Sequence, residues 1–140
     1  MTTWLIGNDQ QIFIWVARRI GVEFIRESFR GLGVLRDGEL IAGLVLSQYT
    51  GFDVRLSAAA TRRDWLSRGL ISDVAKFVFT ELKCKRVTVV CRRQNKSTRA
   101  LSLRLGFREE GVLRKAWDGI DDAVFYGMLE EDCKWRLIRD

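Results

Sequence analysis

The segment Arg86 to Cys91, RVTVVC, constrains this chain more than any other stretch. It is short, β-branched and almost uninterrupted, the pattern of a strand buried on both faces. The hydrophobic period changes on either side of it. Before it, Ile71, Val74, Ala75, Val78 and Leu82 recur at helical spacing and form one apolar face of a long helix. After it, a helix runs from near Ser97 to Leu105 and stops at Gly106. Further upstream, Gly33 to Arg36, Leu40 to Gln48 and Val54 to Ala60 read as an antiparallel meander, joined by Asp37-Gly38 and Thr50-Gly51 turns. Trp4 to Ile6 is a short first strand, and the helix after it starts at Asn8, with Gln11 at capping-box spacing, and ends before Gly21. Val22 to Ser28 reads as a second short helix. Two last strands, about Phe107 to Trp117 and Ala123 to Leu129, flank an Asp118-Gly119 turn. The order β, α(α), βββ, α, β, α, ββ predicts an α/β (α+β) fold: a mixed, mostly antiparallel sheet of about six to seven strands with helices on both faces.

The 140 residues contain no proline and no Ser/Gly-rich or like-charge run, so 1–140 reads as one domain that folds without disulfides or metal. At 47% hydrophobic, 30% charged and 11% aromatic, the chain is too apolar to stay disordered. With no histidine it holds no Ser-His or Cys-His pair, no His-ligated zinc and no imidazole base. Lys+Arg 24 against Asp+Glu 18 leaves +6, which favours an anionic partner: a phosphorylated cofactor, nucleic acid or an acidic surface. Cys84, Cys91 and Cys133 form an odd set without C-x-x-C spacing, which argues against a disulfide framework and for a reducing interior. The start, MTTWLIGNDQ, lacks a basic stretch followed by an apolar one, and no run of ~18 apolar residues follows. The expectation is a cytoplasmic protein without a membrane partner.

Val54 to Ser72 reads as strand, basic loop and helix. A helix start presents free backbone N–H groups and the positive end of its dipole, so Ser67, Arg68 and Gly69 leading into a helix suit a phosphate or pyrophosphate. The same residues also read as a solvated basic loop. Downstream, Asn95, Thr98, Leu105-Gly106-Phe107, Glu110-Gly111 and Arg114 follow a pattern: Asn, three residues to Ser or Thr, a helix ending in Leu-Gly-Phe, then Glu-Gly and Arg. That segment resembles the C-terminal motif of the GNAT acyl-CoA N-acyltransferases, in particular the ribosomal-protein (RimJ/RimL-like) branch. Asp122 to Leu129 is similar to the family's last strand. The element order is also the GNAT order, so the resemblance covers nearly the whole chain.

The resemblance implies acetyl-CoA as co-substrate, no metal, and a central strand ending near Ala60 that splays from its neighbour near Val90 to take the pantetheine arm. It assigns cofactor binding to Ala60, Thr61, Arg62, Leu66, Ser67, Arg68, Gly69, Leu70, Ile71, Asn95, Arg99 and Ser102, with the pyrophosphate at the helix start near Gly69. The family's pyrophosphate pattern is Gln or Arg, two residues, Gly, one residue, Gly or Ala. Here it falls on Leu66, Gly69 and Ile71, where only Gly69 matches, and Arg63 or Arg68 are the substitutes for the missing cation. Many members carry a Tyr seven residues after the Asn to protonate the departing thiolate. This chain has Ser102 there, with Tyr126, Tyr49 or water as alternatives. The catalytic candidates are Asn95, Ser102 and Tyr126.

The implied chemistry is direct transfer of an acetyl group to a primary amine of a peptide, a protein or a small molecule, with a backbone N–H at Ala60 or Thr61 on the oxyanion. Glu23, Glu27, Asp53 and Asp122 are the candidate bases through water, each also readable as a surface charge. Cys91, in an apolar strand, reads as a buried hydrophobe rather than an acyl carrier. Asn95 doubles as a helix N-cap, and Arg99 is either a CoA phosphate ligand or a solvated side chain. Two other functions are carried alongside: a basic nucleic-acid-binding module, for which no reader motif is found, and a CoA-binding GNAT fold without catalysis. An exposed edge on the last strands, with Phe125 and Trp135 nearby, suits a homodimer.

Overall fold

The computed structural model describes residues 1–21 and 28–135. Seven strands form one sheet in the order β1-β2-β3-β4-β5-β7-β6. Strands β1 (Thr2–Ile6), β2 (Ser28–Arg36), β3 (Glu39–Ser47) and β4 (Asp53–Ala60) pair antiparallel in succession. Strand β5 (Arg86–Arg92) runs parallel to β4, and β7 (Ala123–Leu129) lies antiparallel between β5 and β6 (Arg108–Leu113). The expected mixed, mostly antiparallel sheet is present. Its one parallel pair follows from a helical crossover, since a tight turn can only reverse the chain.

Helix α1 (Asp9–Ile20) packs on one face of the sheet, where Ile12 and Val16 meet Val45. It comes close because the strands beneath it carry glycine: a Cβ on Gly31 would stand 3.0 Å from Ile12 Cβ, and one on Gly43 2.8 Å from Val16 Cγ2. The helix closes at Gly21 with φ 80, the left-handed conformation expected there. Its start differs from the expected capping box. Asn8 makes no side-chain cap bond, and Asp9 Oδ1 instead accepts the Gly31 N–H at 2.9 Å, tying the helix start to β2.

Helices α2 (Arg68–Ala75) and α3 (Lys96–Leu105) lie on the opposite face. Leu70 and Val74 of α2 pack with Leu44, and Leu105 of α3 joins the core of Val87, Cys91, Tyr126 and Met128. Helix α2 continues as a π-helical segment, Lys76–Glu81, with Leu82 N bonded to Phe77 O at 2.8 Å. The wider turn buries both Val78 and Phe79, where a 3.6-residue period predicts Val78 alone.

Three expectations change, and a fourth lies outside the described residues. The strand predicted to reach Trp117 stops at Leu113, and the chain then turns through Lys115 at φ 57. The second short helix falls on residues outside those described, apart from Ser28, which already belongs to β2. Strand β5 is less buried than RVTVVC suggests: Val87, Thr88 and Cys91 are buried, but Val89 and Val90 are only half-buried. Of the last two strands, β6 forms a free edge of the sheet as expected, but Phe125 is flanked by Val90 and Gly111 and Trp135 Nε1 donates to Leu105 O, so neither aromatic stands on that edge.

Candidate active site

Strands β4 and β5 pair from Asp53↔Arg86 to Leu56↔Val89 and then part, although β4 runs on to Ala60 and β5 to Arg92. Register decides which groups face the gap. Thr61 N donates to Ile41 O at 2.8 Å, and Ala59 stands opposite Gly43, so the odd residues of β4 bond to β3. Ala58 and Ala60 therefore turn their N–H and C=O groups toward β5. On β5, Lys85 O accepts from Glu130 N and Arg93 N donates to Asp122 O, in step with β7, which leaves Val90 and Arg92 facing β4. Both walls of the gap thus carry unpaired backbone donors and acceptors. The run Ala58 to Ala60 keeps the β4 wall free of bulk.

The gap opens into a cleft of about 1290 Å³. Because it lies between strands, it reaches both faces of the sheet. Thr61 to Arg63, Leu66 and Ile71, with Asn95, Ser97, Leu101, Ser102 and Arg104, border it on the α2/α3 side; Arg19, Ile20, Gln94 and Trp117 border it on the α1 side. Its described lining includes Arg19, Arg62, Arg63, Arg92 and Arg104 but no Asp or Glu. Arg63 and Arg104 have no ion-pair partner among the described residues, whereas Arg62 lies 3.4 Å from Asp64. One sign of charge on low-dielectric walls concentrates anions.

No protein-family model and no curated protein matches the sequence. Solved structures do match. A spermidine/spermine N-acetyltransferase from Vibrio cholerae, solved in mutant forms, superposes with a TM-score of 0.73 at 15% identity, over 94% of this chain and 96% of that one. The fold is that of the GNAT N-acetyltransferases. A GNAT family acetyltransferase from Elizabethkingia anophelis, solved with acetyl-CoA bound, gives a TM-score of 0.71 at 12% identity over 91% of this chain and 97% of that one. A probable acetyltransferase reaches 24% identity with a TM-score of 0.65, and there the match covers 72% of this chain but 61% of the other.

Within this GNAT fold, Ala60, Thr61, Arg62, Leu66, Ile71, Asn95 and Ser102 all border the cleft. Ser67 caps α2, its Oγ accepting from Leu70 N at 3.1 Å. A Cβ at Gly69 would meet only Ser67 Oγ, at 3.9 Å, so the space beside the first turn is open. Asn95 Oδ1 accepts from Thr98 N and Ser97 Oγ, both at 3.1 Å, which confirms the N-cap and leaves Nδ2 without a partner among the described residues.

Other assignments need correction. Leu70 is a core residue at 0% exposure and faces Val34 and Leu44 rather than a ligand. Thr61 gives both N–H and Oγ1 to Ile41 O, so Ala60 is left as the backbone donor to the gap. Arg99 stands away from the cleft: Nε donates to Tyr126 Oη at 3.0 Å, Nη1 to Arg93 O at 3.1 Å and Nη2 to Glu109 Oε1 at 3.0 Å. Tyr126 is fully buried in that network, and its burial pushes the phenol up against the opposing pull of Arg99. Neither residue is among the cleft's lining. Tyr49 donates to Leu82 O and does not border the cleft either.

Ser102 Oγ donates its one hydrogen to Thr98 O at 2.8 Å and has none left for a thiolate in that rotamer. Cys91 borders the cleft, but burial pushes its thiol up, away from the thiolate a nucleophile needs. Of the candidate bases, Asp53 begins β4, at the end remote from the gap, and accepts from Thr88 Oγ1 at 2.9 Å. Asp122 accepts from Lys115 N at 3.0 Å and Arg93 Nη1 at 3.1 Å, and those bonds hold its carboxyl below the usual range. Glu23 and Glu27 lie outside the described residues.

Part of the basic charge behind the nucleic-acid alternative is paired within the protein: Arg86 pairs with Glu110 at 2.7 Å, Arg92 with Asp121 at 3.3 Å and Arg93 with Asp122 at 3.1 Å. Several cleft residues escaped the sequence, among them Arg104, Arg19 and Trp117. Arg104 had a signal, since it shares the helical face of Ser97 and Leu101. Arg19 and Trp117 had none, because remote segments bring them to the gap.

Proposed function

We propose that the chain is an acetyl-CoA-dependent N-acetyltransferase that passes the acetyl group directly to a primary amine. The observation that carries this is the parting of β4 and β5, which sets the unpaired backbone of Ala58 and Ala60 opposite that of Val90 and Arg92. Such walls suit an extended arm that contains amides, and Arg62, Arg63, Arg104 and the open turn at Ser67 to Gly69 put positive charge where its phosphates would lie. Acetyl-CoA supplies the acetyl group as a thioester, whose C–S bond breaks as the amine nitrogen bonds to the carbonyl carbon. The Ala60 N–H meets the oxyanion, and Asn95 Nδ2 orients a carbonyl at the α3 side. No carboxylate lies in the described lining, so an α-amine, which titrates near ~7.7–8.0, loses its proton to solvent. The thiolate likewise takes its proton from water.

The neighbour with acetyl-CoA bound supports the co-substrate, and the polyamine enzymes support an amine acceptor. A dodecameric Vibrio cholerae spermidine N-acetyltransferase supports self-association, for which the sheet offers its β1 edge and its β6 edge, the latter with Val112 and Leu113 exposed. Residues 1–140 act as one domain in this reading. Three buried free cysteines support a cytoplasmic setting, and no described helix is long and apolar enough to cross a membrane.

Calorimetric titration of acetyl-CoA tests the proposal. Saturable one-to-one binding, weakened about tenfold or more by Arg63→Glu and by Gly69→Trp, is expected. A folded protein that takes up no acetyl-CoA at millimolar concentration rejects it.

A further inference from the structure

The α1-side mouth of the cleft holds two N–H donors that make no hydrogen bond among the described residues. Trp117 Nε1 and Arg92 Nε are buried without a hydrogen-bond partner, and both residues border the cleft. Arg92 Nε is 3.3 Å from Asp121 Oδ2, an ionic contact out of line for a hydrogen bond. The two residues share one rim, because Arg92 Nη2 also lies 3.5 Å from Asp118 Oδ2, one residue beyond Trp117. The end of α1 completes that rim: a Cβ on Gly21 would be 3.9 Å from Arg92 Nη2. There Arg19 stacks on the Trp15 ring at 3.6 Å and bonds Trp15 O, with no carboxylate partner among the described residues.

The acids of this rim are already answered. Asp118 accepts from Ile120 N and Asp121 N, Asp121 from Gln94 Nε2, and Asp122 from Lys115 N and Arg93. Among the described residues, what remains unmet at the mouth is two N–H donors and one cation. Buried unsatisfied groups are rare in native proteins, and a cluster of them at a cleft is matched by a ligand rich in acceptors.

We infer that the acceptor is a primary amine that carries a carboxylate, bound at this mouth by the Trp117 indole N–H, Arg92 Nε and Arg19. This rests on the acetyltransferase function proposed above. The carboxylate stays at the rim while the amine enters the gap. There its nitrogen bonds to the acetyl carbon, the C–S bond breaks, and the amine's proton passes to water as the thiolate gains one from water. A polycation meets the wrong partners here, an unpaired arginine and two N–H donors, which sets this mouth apart from what a polyamine needs.

The test measures kcat/KM with acetyl-CoA for a short series of di- and tripeptides, glycylglycine among them, whose α-amines deprotonate near neutrality, for the matching C-terminal amides, and for spermidine. The expected result is a preference of about tenfold or more for the carboxylate over the amide, as one charge-assisted hydrogen bond gives. Trp117→Phe and Arg19→Gln each bring that ratio toward one, while Arg19→Lys keeps most of it. Acetyl-CoA titration runs in parallel. Failure to bind acetyl-CoA overturns the proposed function and the inference with it. Saturable acetyl-CoA binding overturns the inference alone in three cases: equal or faster turnover of amides or spermidine, no turnover of any carboxylated amine, or a preference untouched by both variants.

Discussion

Ser102 shows how one hydrogen bond changes a side chain's role. Its spacing from Asn95 marks it as the counterpart of a general acid, yet its proton is committed to Thr98 O at 2.8 Å. Ser102→Ala should therefore leave kcat within about threefold of the parent in a steady-state acetylation assay. Asn95→Ala should do more, because it removes both the cap and the free amide. The expected loss is about 1 kcal/mol of stability in urea denaturation together with a higher KM for acetyl-CoA. Gly43 is a different case, with no chemistry and no room: a methyl group there meets Val16 Cγ2 at 2.8 Å. Gly43→Ala should cost about 1–3 kcal/mol by the same assay, the usual price of overpacking.

The connection between β6 and β7 behaves as a built element and not as a loose turn. Asp118 accepts from the N–H groups of Asp121 and Ile120, and Asp122 from the N–H of Lys115 and from Arg93; these bonds hold both carboxyls below the usual range. Lowered folded-state values mean that the folded connection binds fewer protons than the unfolded chain. Its stabilisation is thus full above the unfolded value near ~3.9 and is lost as pH falls through the folded values. Trp117 sits inside this connection, so its fluorescence should change below about pH 4 before the sheet melts; an unchanged signal down to global unfolding would refute the assignment. On the other side of β7, Arg99 joins α3 to Tyr126 and Glu109, and its three bonded nitrogens make it a strut between helix and sheet rather than a cofactor ligand.

The molecule as a whole carries +6, and its cleft concentrates part of that charge on Arg62, Arg63 and Arg104 without a carboxylate in the described lining. Electrostatic capture of a polyanion weakens with salt, since the screening length falls from ~10 Å at 0.1 M to ~3 Å at 1 M. The KM for acetyl-CoA should rise steadily over that range while kcat changes little, and Arg104→Ala should flatten the slope. A KM independent of salt would argue that the arginines do not hold the phosphates.

Much of this protein was legible in one dimension. Period-two runs bounded by Asp-Gly turns gave the meander, and helical spacing gave α2 and α3. The Asn95 to Arg114 pattern pointed to the GNAT fold, because local backbone preference and side-chain period are properties of neighbours in sequence. The π-helical turn that buries Phe79, the glycines under α1 and the parting of β4 from β5 were not legible, since each depends on what lies across the core. The same holds for the site. Asn95 and the α2 start were visible as caps, but the committed proton of Ser102, the capture of Arg99 by Tyr126 and Glu109, and the meeting of Arg19, Arg92 and Trp117 at one mouth arise from segments far apart in the chain. Only packing brings those groups together, and the hydrogen bonds each then makes or lacks decide which of them remain free to act.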